Sequence, residues 1–275
     1  MERTVKDIVL LLAAGLLAAG GCTVREDRQP CPCFLDVDYR EVLAADLFPV
    51  DEPGIVDVAV LIPGHPVRCT HKLAACPEVE EKTVTRDTAQ IVALVGNRMP
   101  EGFPERGTQI RYEAGNQIDS LYVHTDRLDC TVEETTCVLR PLKQFSTLTF
   151  TDENDGATLR QYNLVVRGTT CGFDAADLSP LDGAYLYTVQ EYDRNDRISV
   201  RIPRQTESSL MLEFYDKHTY RQLFAAPVGL YLFDAGYDPK APGLEDYTIR
   251  INFEQALVYL RIAGWEEEYI YQLYK

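Results

Sequence analysis

The sequence predicts an all-β protein, two tandem β-sandwich domains behind an N-terminal export signal. Three observations carry that expectation. Apolar and polar residues alternate in run after run, turn signals separate the runs about every ten residues, and a short apolar stretch near the N-terminus ends in a cysteine.

The apolar stretch runs from Ile8 to Gly21 and leads directly into Cys22. As a helix, about 13 apolar or small residues span only ~20 Å, short of the ~30 Å hydrocarbon core of a bilayer. Arg3 and Lys6 precede it, although Glu2 and Asp7 offset their charge, and Ala19-Gly20-Gly21 supply small residues at its end. This is the layout of a signal peptide over residues 1–21. Small residues followed at once by Cys resemble a bacterial lipobox, with Gly21 on the signal-peptidase side and Cys22 acylated as the new N-terminus. Lipoboxes usually carry Leu where Ala19 stands. The competing reading is an ordinary secretion signal, with Cys22 as one more disulfide partner. Residues 22–33 form a polar, proline-bearing tether that reaches at most ~40 Å, at ~3.5 Å per residue.

Beyond the tether, Leu35, Val37 and Tyr39 alternate with Asp36, Asp38 and Arg40. Val56, Val58, Val60 and Ile62 repeat the pattern, whereas Gln90–Gly96 is apolar on both faces and reads as a central strand. Leu121/Val123, Leu148/Phe150 and Asn163–Arg167 continue the series, followed by Ile198/Val200/Ile202, Leu210/Leu212/Phe214, Tyr247/Ile249/Ile251/Phe253 and Val258/Leu260/Ile262. Tyr269–Tyr274 adds a terminal strand. Turn signals at Pro53-Gly54, Pro63-Gly64, Asn154-Asp-Gly156, Asp193–Asp196 and Pro242-Gly243 divide the runs. Helical patterns are confined to Val42–Phe48 and Tyr220–Phe233, the latter broken by Pro227. Pro180-Leu-Asp-Gly183 marks the expected boundary between an N-terminal sandwich, 34–183, and a C-terminal one, 184–275.

Composition narrows the function. With 27 basic and 43 acidic residues the net charge is −16, so phosphate backbones and anionic headgroups repel the chain and a nucleic-acid partner is not expected. Membrane attachment would then depend on lipid. One acyl chain holds only marginally, but the several carried by a lipoprotein cysteine hold stably. The eight cysteines point to disulfides in an oxidising compartment. Cys69/Cys76 and Cys130/Cys137 share a C-x6-C spacing that suits local staples, which leaves Cys171 for Cys31 or Cys33; spacing alone does not set the connectivity. The nucleophile-elbow, zincin, P-loop and dinucleotide-binding motifs are all missing, so neither catalysis nor a cofactor is expected. His65, Cys69, His71 and Cys76 cluster too irregularly for zinc, Cys31-Pro-Cys33 lacks redox spacing, and Asp152–Gly156 lacks the calcium-loop spacing. The 16 tyrosines suit sheet positions first and a sugar- or protein-binding platform second.

The two ends of the chain carry a resemblance. Cys22, Glu26-Asp27 and Cys31-Pro32 before the first strand resemble the opening of Bacteroides-type fimbrium anchoring and assembly lipoproteins. Asp246-Tyr-Thr-Ile-Arg-Ile-Asn-Phe253, then Leu257-Val-Tyr-Leu-Arg-Ile-Ala-Gly-Trp265, is similar to that family's closing strand pair. The resemblance implies two transthyretin-like sandwiches and a non-enzymatic outer-membrane lipoprotein that holds a fimbrial polymer and limits its length. It also implies fimbrial subunits as partners, joined by strand addition. Two alternatives stand beside it. One is a shaft or tip subunit matured by cleavage at Arg40, and the other is a surface lipoprotein that binds glycan or host protein through exposed tyrosines.

Overall fold

The structure, a computed structural model, describes residues 31–48, 54–63, 65–153, 159–189, 197–263 and 268–272. Gly21, Cys22 and the tether up to residue 30 lie outside the described residues, as do Asn154-Asp-Gly156, Asp193–Asp196 and Gly264-Trp265. The expected alternation produces strands throughout. In the first half these are β1 (Cys33–Asp38), β2 (Ile55–Leu61), β3 (Val67–Lys72), β4 (Val79–Val84), β5 (Thr88–Gly96), β6 (Gln109–Arg111), β7 (Leu121–Asp129), β8 (Glu134–Val138) and β9 (Leu142–Lys143). In the second half they are β10 (Phe145–Asp152), β11 (Tyr162–Asp174), β12 (Pro180–Thr188), β13 (Ile198–Pro203), β14 (Met211–Asp216), β15 (Gln222–Ala226), β16 (Tyr247–Asn252), β17 (Leu257–Ile262) and β18 (Tyr269–Gln272).

Two sheets close over the first core, a three-stranded sheet β4-β1-β8 and a five-stranded sheet β3-β2-β5-β7-β9. Cys33, Leu35, Val37 and Tyr39 from β1 meet Val56, Val58 and Val60 from β2 and Ile91, Ala93 and Val95 from β5. The opposite face of β5 is buried too. Val92 and Leu94 join Ile110, Phe173 and Ala175 in a second cluster, between the five-stranded sheet and the end of β11. That double burial is why Gln90–Gly96 is apolar at every face, as expected of a central strand. The third core lies between β13-β10-β16-β17-β18 and β12-β11-β14-β15.

The boundary expected at 183/184 falls inside β12. β10 pairs with β13 and β16, and β11 with β12 and β14, so a cut there would strip two strands from the second sandwich. The sheets change instead at the buried Gln144, between β9 and β10. Proline is tolerated at the first residue of a strand, and Pro180 opens β12. Both expected helices are shorter than their patterns. Residues 42–48 supply part of α1 (Arg40–Ala44), and Tyr220–Phe233 divides into β15 and α2 (Val228–Asp234) at Pro227. A proline has no N–H for the ladder but has the φ that a helix start requires.

Candidate functional site

The feature with most structural specificity is β1 in its groove. On one edge it pairs antiparallel with β4, from Cys33↔Val84 to Asp38↔Val79. On the other it pairs parallel with β8, from Phe34↔Glu134 to Asp38↔Val138. β4 and β8 meet only through β1, so without the first strand they would be separate strands with their facing edges unpaired. Leu35 and Val37 are fully buried, each contributing about 1.5–3 kcal/mol by leaving water. Phe34 and Asp36, on the other face, stay half-buried.

A polar cluster fixes the far end of the strand. The Tyr39 hydroxyl donates to Glu80 Oε2 at 3.3 Å, His71 Nε2 lies 2.9 Å from the same oxygen, and Lys82 Nζ is 2.6 Å from Glu80 Oε1. Burial raises the pKa of the Tyr39 phenol strongly. Burial also acts to raise that of Glu80, but hydrogen bonds from Lys82 and His71 outweigh it and hold the carboxyl below its ordinary value. Glu80 therefore stays anionic between two potential cations and a neutral phenol. Just beyond, Arg40 opens α1 with its side chain 65% exposed and paired to Asp38. Arg140 Nε, 3.2 Å from both Glu41 carboxylate oxygens, ties α1 to the chain after β8.

Among the described residues the cysteines are free thiols. Cys31 is exposed. Cys69 touches Tyr39 and Lys82, and Cys76 follows a short 3-10 turn, Leu73–Ala75, near Glu80. Cys33 and Cys130, both fully buried, lie in the same core cluster and perturb each other's ionisation. Cys137 is turned to His124, with Sγ 3.5 Å from Nε2. Cys171 sits on β11 beside Arg111 Nη1 (3.3 Å) and the Leu181 and Asp182 carbonyls, in a different sheet from Cys33. The local C-x6-C logic therefore misses the approach of Cys33 to Cys130, which are far apart in the sequence. Only the pairing of β1 with β4 and β8 creates it, and both flanking strands are too polar to stand out in the sequence.

Among the described residues no group of three or more His, Cys, Asp and Glu side chains is placed to hold a metal ion, and no helix is long and apolar enough to cross a membrane. Tyr220, in the turn between β14 and β15, is the one exposed tyrosine among them. The rest are buried or half-buried, including the stacked pair Tyr231–Tyr271 at 4.0 Å. An open groove of about 720 Å³ is lined by charges of both signs, among them Arg98, Glu101, Arg106, Arg111 and Glu113.

No protein-family model matches the chain, and no curated protein is detectably similar in sequence. Solved structures do match. The fimbrial anchor protein of Porphyromonas gingivalis superposes with a TM-score of 0.56 at 14% identity, over 86% of this chain and 98% of that one. The chain has the anchor protein's fold. A candidate polysaccharide-binding protein of Bacteroides thetaiotaomicron gives 0.60 at 14% identity, over 87% and 98%. A candidate adhesin of Bacteroides ovatus gives 0.59 at 11% identity, over 87% and 96%. The all-β, sandwich-like architecture is thus shared along most of the described chain.

Proposed function

We propose that this chain is a non-enzymatic fimbrial accessory protein of the cell surface, held at the outer membrane through acylated Cys22 and fastening fimbrial subunits there. The observation that carries the reading is the seated first strand. β1 fills the groove between β4 and β8 with its chain's own residues, and Cys22 lies at the other end of the short tether that leads into Cys33. A pull on the protein is then passed from lipid to tether to the interior of a sheet, where two hydrogen-bond ladders share it. The fold held in common with a fimbrial anchor supports this, as does an acidic surface that leaves lipid as the natural attachment. Subunits would join by adding a strand to an exposed sheet edge, where backbone hydrogen bonds supply affinity. A subunit whose own groove is filled would end a polymer rather than extend it.

Mass spectrometry of the native N-terminus, combined with isolation of fimbriae, tests the reading. An acylated Cys22 on a chain that copurifies with fimbrial subunits is the expected result. A mature chain that begins at Glu41 and carries no β1 peptide would overturn it in favour of a shaft or tip subunit, because loss of β1 opens the groove.

A further inference from the structure

We infer that Cys33 and Cys130 form a disulfide that locks the first strand into the protein. Cys33 is the first residue of β1 and pairs with Val84. Cys130 follows β7, and its N–H donates to Asp87 O at 3.0 Å. Both side chains are fully buried in the same core cluster, and each thiol perturbs the ionisation of the other. β1 belongs to the three-stranded sheet and β7 to the five-stranded one, so the bond would run across the sandwich from sheet to sheet.

The chemistry is a thiol–disulfide exchange. The Cys33 thiolate attacks the disulfide of an exported thiol–disulfide oxidoreductase, forming a mixed disulfide and expelling one thiolate of the oxidant. The Cys130 thiolate then attacks the Cys33 sulfur, the Cys33–Cys130 bond forms, and the second oxidant thiolate leaves. Two electrons pass to the oxidant, which becomes a dithiol by taking up the two protons lost from the cysteines. In the folded chain burial raises both thiols, Cys130 to about 11, so the exchange belongs to folding, before the sheets close.

The consequence bears on polymer ends, and this part rests on the fimbrial reading above. With the bond in place, β1 stays in the groove even when the chain is cut at Arg40. No incoming strand can then replace it between β4 and β8. The disulfide makes the retained strand permanent and confines the protein to the terminus of a polymer.

The test uses the full chain from envelope membranes lysed in N-ethylmaleimide, digested with trypsin without reduction. Cys33 falls in Gln29–Arg40 and Cys130 in Leu128–Lys143, because Arg140 precedes Pro141. Each peptide holds a second cysteine, so C31S and C137S variants assign the sulfur atoms. A linked pair that separates on reduction and survives in both variants is expected. N-ethylmaleimide on both Cys33 and Cys130, or a Cys130–Cys137 link, overturns the inference. Reduction of the purified chain should also speed amide exchange over residues 34–38 by about tenfold; an unchanged rate overturns the locking role. The two readings fail separately. Free thiols on a fimbria-bound chain refute the disulfide alone, whereas a linked chain absent from fimbriae refutes the anchoring alone.

Discussion

Arg40 holds the carboxylate of Asp38 in a fork, with Nε 3.0 Å from Oδ1 and 3.1 Å from Oδ2, where β1 passes into α1. The Asp38 oxygen also accepts the Arg40 backbone N–H at 3.0 Å. The arginine side chain is solvent-exposed while the carboxylate is nearly buried, so the pair acts as a clasp on the strand's last residue.

The clasp predicts a specific acid response. Hydrogen bonds from the Arg40 side chain and backbone lower the Asp38 pKa from 3.8 to about 2. A carboxyl whose folded pKa is depressed stabilises the fold fully above its unfolded pKa and loses that contribution as pH falls through the folded one. Urea midpoints of the wild type and D38N should therefore differ most above pH ~4 and converge toward pH ~2. A difference that stays constant across that range would refute the account.

Asp57 is the most fully buried charge in the first domain. It is completely inaccessible on β2, with Arg68 Nε at 2.9 and 3.1 Å and the Thr70 hydroxyl at 3.0 Å. Removing a partner from a buried ion pair leaves an uncompensated charge, at a cost of about 3–5 kcal/mol. R68A should approach the lower end of that range, because Arg68 is itself partly exposed. R68K should recover part of the loss, since an ammonium restores the charge without the forked geometry. Denaturant melts that place R68A within about 0.5 kcal/mol of wild type, the range of ordinary surface substitutions, would exclude this role.

Strands with one apolar face were legible in the sequence, since burial on one side of a sheet imposes a period of two. Val56, Val58 and Val60 show it, and β5 showed in addition that both its faces would be covered. The partners of β1 were not legible. β4 reads Val-Glu-Glu-Lys-Thr-Val and β8 reads Glu-Thr-Thr-Cys-Val, sequences that become strands because β1 pairs with them. The sheet change at Gln144 was hidden for a related reason. It uses no run of Gly and Pro, and its signature is a tertiary contact, Arg204 Nη2 donating to the Gln144 side-chain oxygen at 2.8 Å. The approach of Cys33 to Cys130 depends on the unread partners of β1, so cysteine spacing alone favours the local partner, Cys137.

Gly172 is set where no side chain fits. A Cβ there would lie 2.0 Å from the Ile110 carbonyl oxygen and 3.0 Å from the Arg111 Cα, both backbone atoms of β6. β6 pairs with β11 through Gly172↔Arg111 and Phe173↔Ile110, and this pairing brings Ile110 and Phe173 into the cluster beneath the five-stranded sheet. G172A should force the two strands apart and lower stability by about 1–3 kcal/mol, as overpacking does. Amide exchange should rise over residues 109–111 while β16 and β17 stay protected. Unchanged exchange in β6 would mean that the strand relaxes without losing its pairing.

The strongest test of the groove is a cavity in the strand that fills it. Leu35 is fully buried, whereas Asp36 beside it points to the half-buried face. L35A should cost about 2–5 kcal/mol, the range for deleting a buried leucine side chain, and D36A should stay within about 1 kcal/mol. The location of the damage discriminates further. β8 has β1 as its only ladder partner in the three-stranded sheet, whereas β5 retains β2 and β7 on either side. L35A should therefore open amides of residues 134–138 first and leave those of residues 90–96 near their wild-type rates. Uniform opening of both strands would show that β1 is an inseparable part of the whole domain fold, and the groove would then have no separate existence for any strand to fill.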